Sequence, residues 1–480
     1  MIALVLSLLL SVSAAQTDQA GPAPPPPVGP PAALALPPAM GLQRVALPEV
    51  TEHSLPGGAR LWMEPRPSAP LIALELVLTL PPAQVDHELQ QALRLLPVMV
   101  DHGARGAPPG GLDAQLEPLG ASVVLAKVDT GLRLRLLTPP ERLEASLDLI
   151  AGALVAPEVA RRDLRRAQQS AWRAHRSLLG SATGRLRRSE IEALYPPEHL
   201  LARWRPTQAW PGRSAFLLQH ARLLGQGGAT LVLLGPVGPV ELELVAQRLG
   251  SLGPPVADPS LEPARGPSPG PAVIPLAEPG AQQARVVVAF PVPVGVSWAE
   301  AQLVADVLGG GATARLDRRL REELGLVYEA TARLVREPGH ARLRIETRLS
   351  GSDPAPGFTA LQAELAGMDA IDPAELQRAR ATRLFAAARE LDSLERSAAR
   401  MGQLALLGLD PAAWQRELDD LASVDHDAVE RAAAAMLEPC AATWVILGDP
   451  EVMDALLHMP TGCTPAVESE DRGTSSSSQE

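Results

Sequence analysis

One order of strands and helices runs through this chain twice, and that repetition limits the fold more than any single motif does. The first pass opens on SLPGGARLWMEPRP, a strand–turn–strand with Gly57 and Gly58 at the turn, followed by the long apolar strand LIALELVLTL at 71–80. A helix is expected over 87–104 and a short one over LDAQLEPLG at 112–120. Two strands, ASVVLAKVD and GLRLRLLTP, then turn around Asp129, Thr130 and Gly131. Apolar residues at helical spacing follow over 140–155, and an arginine-rich helix over 157–180. The strand ATLVLLGP at 229–236 and a helix at 239–252 close the pass. A Pro/Gly-rich linker, GPPVADPSLEPARGPSPGPA at 253–272, separates the two passes.

The second pass begins with strand ARVVVAFPVP and helix SWAEAQLVADVLGGG. Strand HARLRIETRLSG and the helices PGFTALQAELAGM, DPAELQRARATRLFAAARELD, SLERSAARMGQLALLG and DHDAVERAAAAML come later, and ATWVILGD ends the pass as ATLVLLGP ended the first. This pattern predicts an α+β fold of two homologous halves, each a mainly antiparallel sheet packed with helices. Between that first helix and HARLRIETRLSG lies LGGGATARLDRRLREELGLVYEATA, residues 308–332. A glycine run enters an arginine-rich helix that stops at Gly325, and an apolar strand starts at Leu326. Arg321 and Tyr328 stand seven residues apart across this corner, so the turn can aim both into one cavity. The alternative is a solvated arginine beside a core tyrosine. Gly309, Gly310 and Gly311 permit close backbone approach; a phosphate-loop reading is weak because no lysine follows.

Composition narrows the partners. At 480 residues the chain exceeds one core, and its 46% hydrophobic and 20% charged content is that of a globular protein. A net charge of −12 argues against nucleic acid, and RRDLRRAQQSAWRAHR at 161–176 reads as the wet face of a helix. Residues 1–15 carry a signal-peptide pattern, an apolar run ending in Ser13-Ala14-Ala15 without the usual positive start. No cysteine follows that run, which argues against a lipid anchor of the bacterial lipoprotein kind, and no other segment is long and apolar enough to cross a bilayer. The chain is therefore expected to be exported, periplasmic or secreted, with no integral membrane segment after signal cleavage. A Pro/Ala-rich linker at 16–40, halves at 41–252 and 273–450, and a C-terminal helix with an acidic, serine-rich tail at 451–480 complete the layout. Cys440 and Cys463, the two cysteines present, either bridge or remain thiols.

These residues resemble the insulinase-like zinc metallopeptidases, also called the pitrilysin or mitochondrial-processing-peptidase family. LPGGARLWMEPRPSAPLIALELVL and LEPLGASVVLAKVDTGLRLRLLTPPERLEASLDLIAGALVAPEV are similar to that family's opening segments, and LGGGATARLDRRLREELGLVYEATA to its C-terminal one. The resemblance covers nearly all of 45–450. It implies a clamshell of two halves, and peptide hydrolysis by zinc held on an inverted motif, H-x-x-E-H, of the first long helix. The two histidines bind the metal and the glutamate acts as base on its water.

Here the matching stretch is Arg94-Leu95-Leu96-Pro97-Val98. Arg94 stands at the first histidine, Pro97 at the base and Val98 at the second histidine, and none of them can ligate zinc. The later helix, QQSAWRAHR, has no carboxylate where the family places another ligand. Two rival metal readings, His87-Glu88 with Gln91 and Asp101-His102, lack a third ligand at persuasive spacing. No cofactor is expected in this chain, with zinc on a partner subunit. Arg321 and Tyr328 match the family's substrate-contacting pair, donors able to hold a carbonyl oxygen as it gains charge. Arg315 is expected to support the local turn. The pattern is that of the non-zinc subunit of split, heteromeric members. The implied partners are a zinc-motif paralogue and an unfolded peptide substrate, with neither chain active alone. The alternative is a non-catalytic scaffold or peptide-binding protein of the same fold.

Overall fold

Two sheets with one shared topology organise the chain. The structure is a computed structural model that describes residues 45–106, 110–203, 210–261, 272–350 and 353–457. The signal-peptide pattern, the Pro/Ala tract, the acidic tail and Cys463 lie outside the described residues, so the bridge to Cys440 stays an expectation. The first half runs β1 (Thr51–Ser54), β2 (Arg60–Pro65), β3 (Ile72–Thr79), α1 (His87–Asp101), α2 (Gly111–Leu116), β4 (Ser122–Val128) and β5 (Gly131–Thr138). It continues with α3 (Leu143–Val155), α4 (Arg161–Gly180), α5 (Ala182–Leu194), α6 (Arg213–Gln226), β6 (Gly228–Gly235) and α7 (Pro239–Leu249).

The second half runs β7 (Ala272–Ala277), β8 (Gln283–Pro291), α8 (Trp298–Gly309), a π-helix (Asp317–Glu323), β9 (Val327–Glu337) and β10 (His340–Ser350). Then come α9 (Ala355–Ala366), α10 (Pro373–Leu391), α11 (Leu394–Leu406), α12 (Ala413–Ser423), α13 (His426–Met436), β11 (Thr443–Gly448) and α14 (Pro450–Leu457).

The first sheet has the order β1-β2-β6-β3-β5-β4 and the second β7-β11-β8-β10-β9. Apart from the extra edge strand β1, the two orders superimpose. In each, one parallel pair (β2 with β6, β7 with β11) sits beside an antiparallel run. The duplication read from the sequence is therefore present strand for strand.

Local chemistry accounts for the elements. Asp86 caps α1 by accepting from Leu89 N at 2.8 Å. Ser297 and Glu300 form a reciprocal capping box at α8, with Ser297 Oγ accepting from Glu300 N and Glu300 Oε2 from Ser297 N. In β5 the run Leu132-Arg133-Leu134-Arg135-Leu136 alternates, burying its leucines and turning its arginines to the opposite face. The helix expected from 157 begins at Arg161, because Ala104 and Pro157 form a β-bridge.

Each sheet is also covered by a helix from the other half. α5 packs on β11, β7 and β8, while α11 packs on β3 and β6. One apolar core therefore contains Trp62, Val232 and Leu234 of the first sheet together with Ala398, Met401 and Leu404 of α11. The exchange carries buried charge. Glu190 of α5, 1% exposed, accepts from Arg342 Nε at 3.2 Å and Arg344 Nε at 2.8 Å on β10. Arg66, after β2, donates to Leu391 O at 2.8 Å and Ser397 Oγ at 2.9 Å.

Candidate functional site

The stretch that the resemblance sets at the zinc motif, Arg94, Pro97 and Val98, lies on α1. The helix runs from His87 to Asp101 with Pro97 inside it, so Leu93 C=O has no i+4 N–H to accept from. Arg94 is half-buried, and burial lowers the pKa of its guanidinium while Asp129 of the β4–β5 turn opposes that shift. An arginine stays protonated regardless. Val98 is 44% exposed and offers no donor atom.

Across from α1 lies α4, which brings up a residue that sequence reasoning passed over. His175 is 8% exposed and stacks on Trp172, with ring centroids 6.4 Å apart. Burial lowers its pKa first, and the positive charges of Arg94 and Arg188 lower it further. The signal was available, since Leu164, Ala167, Ala171 and His175 follow at helical spacing on the face that packs inward. The place is therefore one neutral imidazole among guanidiniums, a proline and a valine. Zinc needs three or four N, O or S ligands and an environment that tolerates its charge. These residues do not fit it.

Of the rival metal readings, the one at the start of α1 is engaged otherwise. His87 Nε2 lies 3.3 Å from Gln91 Nε2, and Glu88 accepts from Gln219 Nε2 at 3.3 Å. Among the described residues, His426, Asp427 and Glu430 form the only trio of such side chains close enough to share an ion. His426 donates through Nε2–H to Ile371 O at 2.7 Å, which fixes the ring as part of that turn.

The arginine–tyrosine corner has a specific backbone cause. Leu112-Asp113-Ala114-Gln115-Leu116-Glu117-Pro118-Leu119-Gly120 of the first half matches Leu316-Asp317-Arg318-Arg319-Leu320-Arg321-Glu322-Glu323-Leu324-Gly325 of the second, with one residue added. A single added residue turns an α-helical turn into a π-helical one, and Asp317–Glu323 is π-helical with Leu324 N donating to Arg319 O at 3.1 Å. Gly325 then takes φ +63°, which lets the chain reverse into β9. Arg315 secures the start of this segment. It donates to Glu375 at 2.8 Å and to the carbonyls of Gly367 and Ala370 at 2.6 Å each.

Arg321 is 40% exposed and pairs with Asp317 at 2.6 Å and Glu322 at 3.2 Å. Tyr328 is 82% exposed and so is not a core residue. It stands on edge strand β9, at the mouth of a cleft of about 420 Å³ whose lining includes Glu329, Thr331, Glu346, Arg348 and Arg383. Arg321 is not among the residues lining that cleft. The structure thus sets the tyrosine on a polar cleft and ties the arginine to the preceding helix.

Comparison with known proteins agrees with this architecture. Residues 215–383 match a family model described as the Peptidase M16 inactive domain. The matched segment contains Arg321 and Tyr328 and excludes α1. No curated protein matches this chain. The fold is similar to that of a peptidase M16 inactive domain from Pseudomonas fluorescens, with a TM-score of 0.73 at 19% identity over 84% of this chain and 98% of that one. It is similar to a protease from Helicobacter pylori, with a TM-score of 0.70 at 15% identity over 84% of this chain and 100% of that one. It is also similar to the first half of the periplasmic protease PqqL from Escherichia coli, with a TM-score of 0.66 at 17% identity over 87% of this chain and 96% of that one. The chain therefore has an M16-type fold, and its residues 215–383 carry the segment described as that family's inactive domain.

Proposed function

We propose that this chain is the non-zinc, peptide-binding subunit of a heteromeric, exported insulinase-like peptidase that degrades unfolded peptides and is inactive alone. One observation carries the reading. The position of the zinc helix holds Arg94, Pro97 and Val98 beside a histidine in a positive field, while Tyr328 stands exposed over an open polar cleft. The catalytic ion then belongs to a zinc-motif paralogue. This chain's part is to hold substrate backbone, the phenol of Tyr328 and the guanidinium of Arg321 acting as donors to a carbonyl oxygen. Export is supported by the apolar N-terminal pattern and by similarity to a periplasmic protease.

The test is to mix the purified chain with a zinc-motif paralogue and assay unfolded peptides. Turnover is expected from the mixture and from neither chain alone, falling at least tenfold in Arg321→Ala and in Tyr328→Phe. Unchanged turnover in both variants would remove the assigned roles. A second reading, a scaffold or peptide-binding protein without catalysis, is favoured by the Arg321–Asp317 pair, which engages the arginine within its own helix. Peptide binding without turnover in any mixture selects it.

A further inference from the structure

We infer that a second cavity, between α8 and α10, binds a small oxyanion, a carboxylate or a phosphate, through Arg378. The cavity measures about 140 Å³, roughly ten times the ~10–15 Å³ that admits one water. Gly311 and Thr313 of the glycine loop and Arg378, Thr382 and Arg383 of α10 line it, with Asp306 of α8.

Counting charges shows what is missing. Asp306 is already taken, by Arg383 Nε at 2.7 Å and by Gln302 Nε2 at 3.1 Å. Glu375, the other carboxylate at the wall, is taken by Arg315 at 2.8 Å and Arg318 at 2.9 Å. Three guanidiniums thus saturate two carboxylates, and Arg378 adds a fourth cation. Its Nε is buried and bonded to nothing, and among the described residues it has no ion pair. Arg378 is half-buried, so the unmet group is its Nε–H rather than the whole guanidinium. A buried donor left unmet is costly, and an arriving anion with two acceptor oxygens can meet Nε and an Nη together in fork geometry.

The glycine run serves this cavity. A Cβ at Gly310 would lie 2.8 Å from Asp306 Oδ1, so only glycine lets the loop rest on that ion pair. At Gly311 a Cβ would meet nothing within 4 Å, which leaves open space on the cavity side of the loop. Among the described residues, the N–H groups of Gly311, Ala312 and Thr313 donate to no main-chain carbonyl. The absence of a lysine after the glycines makes a phosphate loop of the usual kind a weak reading. Here the cation comes from α10 instead, a helix some 65 residues on that the fold folds back over the loop.

Asp306, Gly310 and Arg383 also line the Tyr328 cleft. A peptide lying in that cleft can therefore place its terminal carboxylate on Arg378. This source of the anion rests on the peptide-binding reading above, whereas free phosphate does not.

The experiment titrates the full chain with three probes: a short peptide acid, its C-terminal amide twin, and inorganic phosphate. Each is measured calorimetrically on wild type, Arg378→Lys and Arg378→Gln. The acid is expected to bind wild type at least tenfold tighter than the amide, with the difference lost in Arg378→Gln and partly kept in Arg378→Lys. Phosphate that binds wild type and fails to bind Arg378→Gln, with acid and amide alike, upholds the site and counts against the peptide source. If neither phosphate binding nor the acid–amide difference depends on Arg378, the proposal is overturned. Should Arg378→Gln fail to fold, hydrogen exchange on the wild-type chain replaces it. Protection of α10 and the glycine loop by the acid or phosphate supports the site, and its absence with both overturns it.

Discussion

The two halves share a sheet but neutralise its buried arginines differently. In the first half, Glu75 of β3 accepts from Arg133 and Arg135 of β5 at 2.6 Å each, so the carboxylate is a neighbour in the same sheet. In the second half the matching arginines are Arg342 and Arg344 of β10, and their shared carboxylate, Glu190, arrives on α5 from the other half. The first pair remains 19% exposed and the second 8%. The shared carboxylate is thus internal to the sheet in one copy and brought by helix exchange in the other, while each pair keeps further partners. Arg133 donates to Ala399 O and Arg135 to Glu395 on α11, and Arg342 and Arg344 pair with Glu337 and Glu346 of their own half. Fold and function have diverged along the same line. The first half carries Arg94, Pro97 and Val98 on its long helix, and the second carries one π-helical residue more than the first at the corner that leads to Tyr328.

The largest effect expected from this comparison is at Glu190. Glu190→Ala strips the more deeply buried arginine pair of its shared carboxylate and should cost about 3 kcal/mol in urea unfolding, the lower end for a broken buried pair because Arg342 keeps Glu337 and Arg344 keeps Glu346. Glu75→Ala should cost less, about 2 kcal/mol, because water still reaches Arg133 and Arg135, and Arg135 keeps Glu395 at 3.1 Å. Equal costs would break the contrast.

Next comes a pH effect confined to the second half. The carboxyl of Glu337 is held at about 2, since the hydrogen bond from His340, the charge and hydrogen bond of Arg342, and Tyr195 outweigh the opposing effect of its burial. A carboxyl whose folded pKa lies below its unfolded value of 4.5 stabilises the fold above that pH and loses the contribution as pH falls toward 2. At neutral pH this contribution is at most roughly 3 kcal/mol. Thermal unfolding of Glu337→Gln should therefore show its largest deficit near pH 7, a deficit that shrinks below the unfolded value of 4.5 and closes on wild type only as the pH approaches about 2. A deficit that stays constant across that range would show that the carboxylate charge is irrelevant.

A gain is expected from the first half. Pro97→Ala restores an N–H to the interior of α1, whose counterpart α8 carries no proline, and should raise stability by about 1–3 kcal/mol. The smallest effect separates the only two tyrosines of the chain. Tyr328→Phe should change stability by less than about 0.5 kcal/mol, as expected of an exposed side chain. Tyr195→Phe, which loses bonds to Glu337 at 2.7 Å and His340 at 2.8 Å, should cost about 1–2 kcal/mol.

Much of this was legible in the chain itself. Alternation in GLRLRLLT and the apolar run of β3 give strands wherever their neighbours lie, because burial follows the local period. α6 was not read from the sequence, and three further elements escaped, each for a physical reason. β7, AVIPLA, contains Pro275 and follows a Pro-rich linker, and it survives as a strand because it lies on a sheet edge. α5, ATGRLRRSEIEAL, shows few apolar residues because what it buries includes Glu190, whose partners sit in the other half. α12 reads as charge, yet Glu417 at its centre is buried between Arg336 and Arg400.

At the site, that Arg94, Pro97 and Val98 offer zinc no ligand was plain from the sequence, since side-chain chemistry needs no coordinates. That His175 faces them was not, because α4 meets α1 only in three dimensions. The tie of Arg321 to Asp317 is an i,i+4 pair that helical spacing alone would bring together, whereas the π-turn beneath it comes from one added residue that no periodicity announces.

The central claim is that the first half cannot hold a catalytic ion, and zinc titration of the full purified chain tests it most directly. The account predicts no site tighter than about micromolar, with any weak binding unaffected by His175→Ala. One zinc per chain, held at nanomolar affinity and released by His175→Ala, would contradict it.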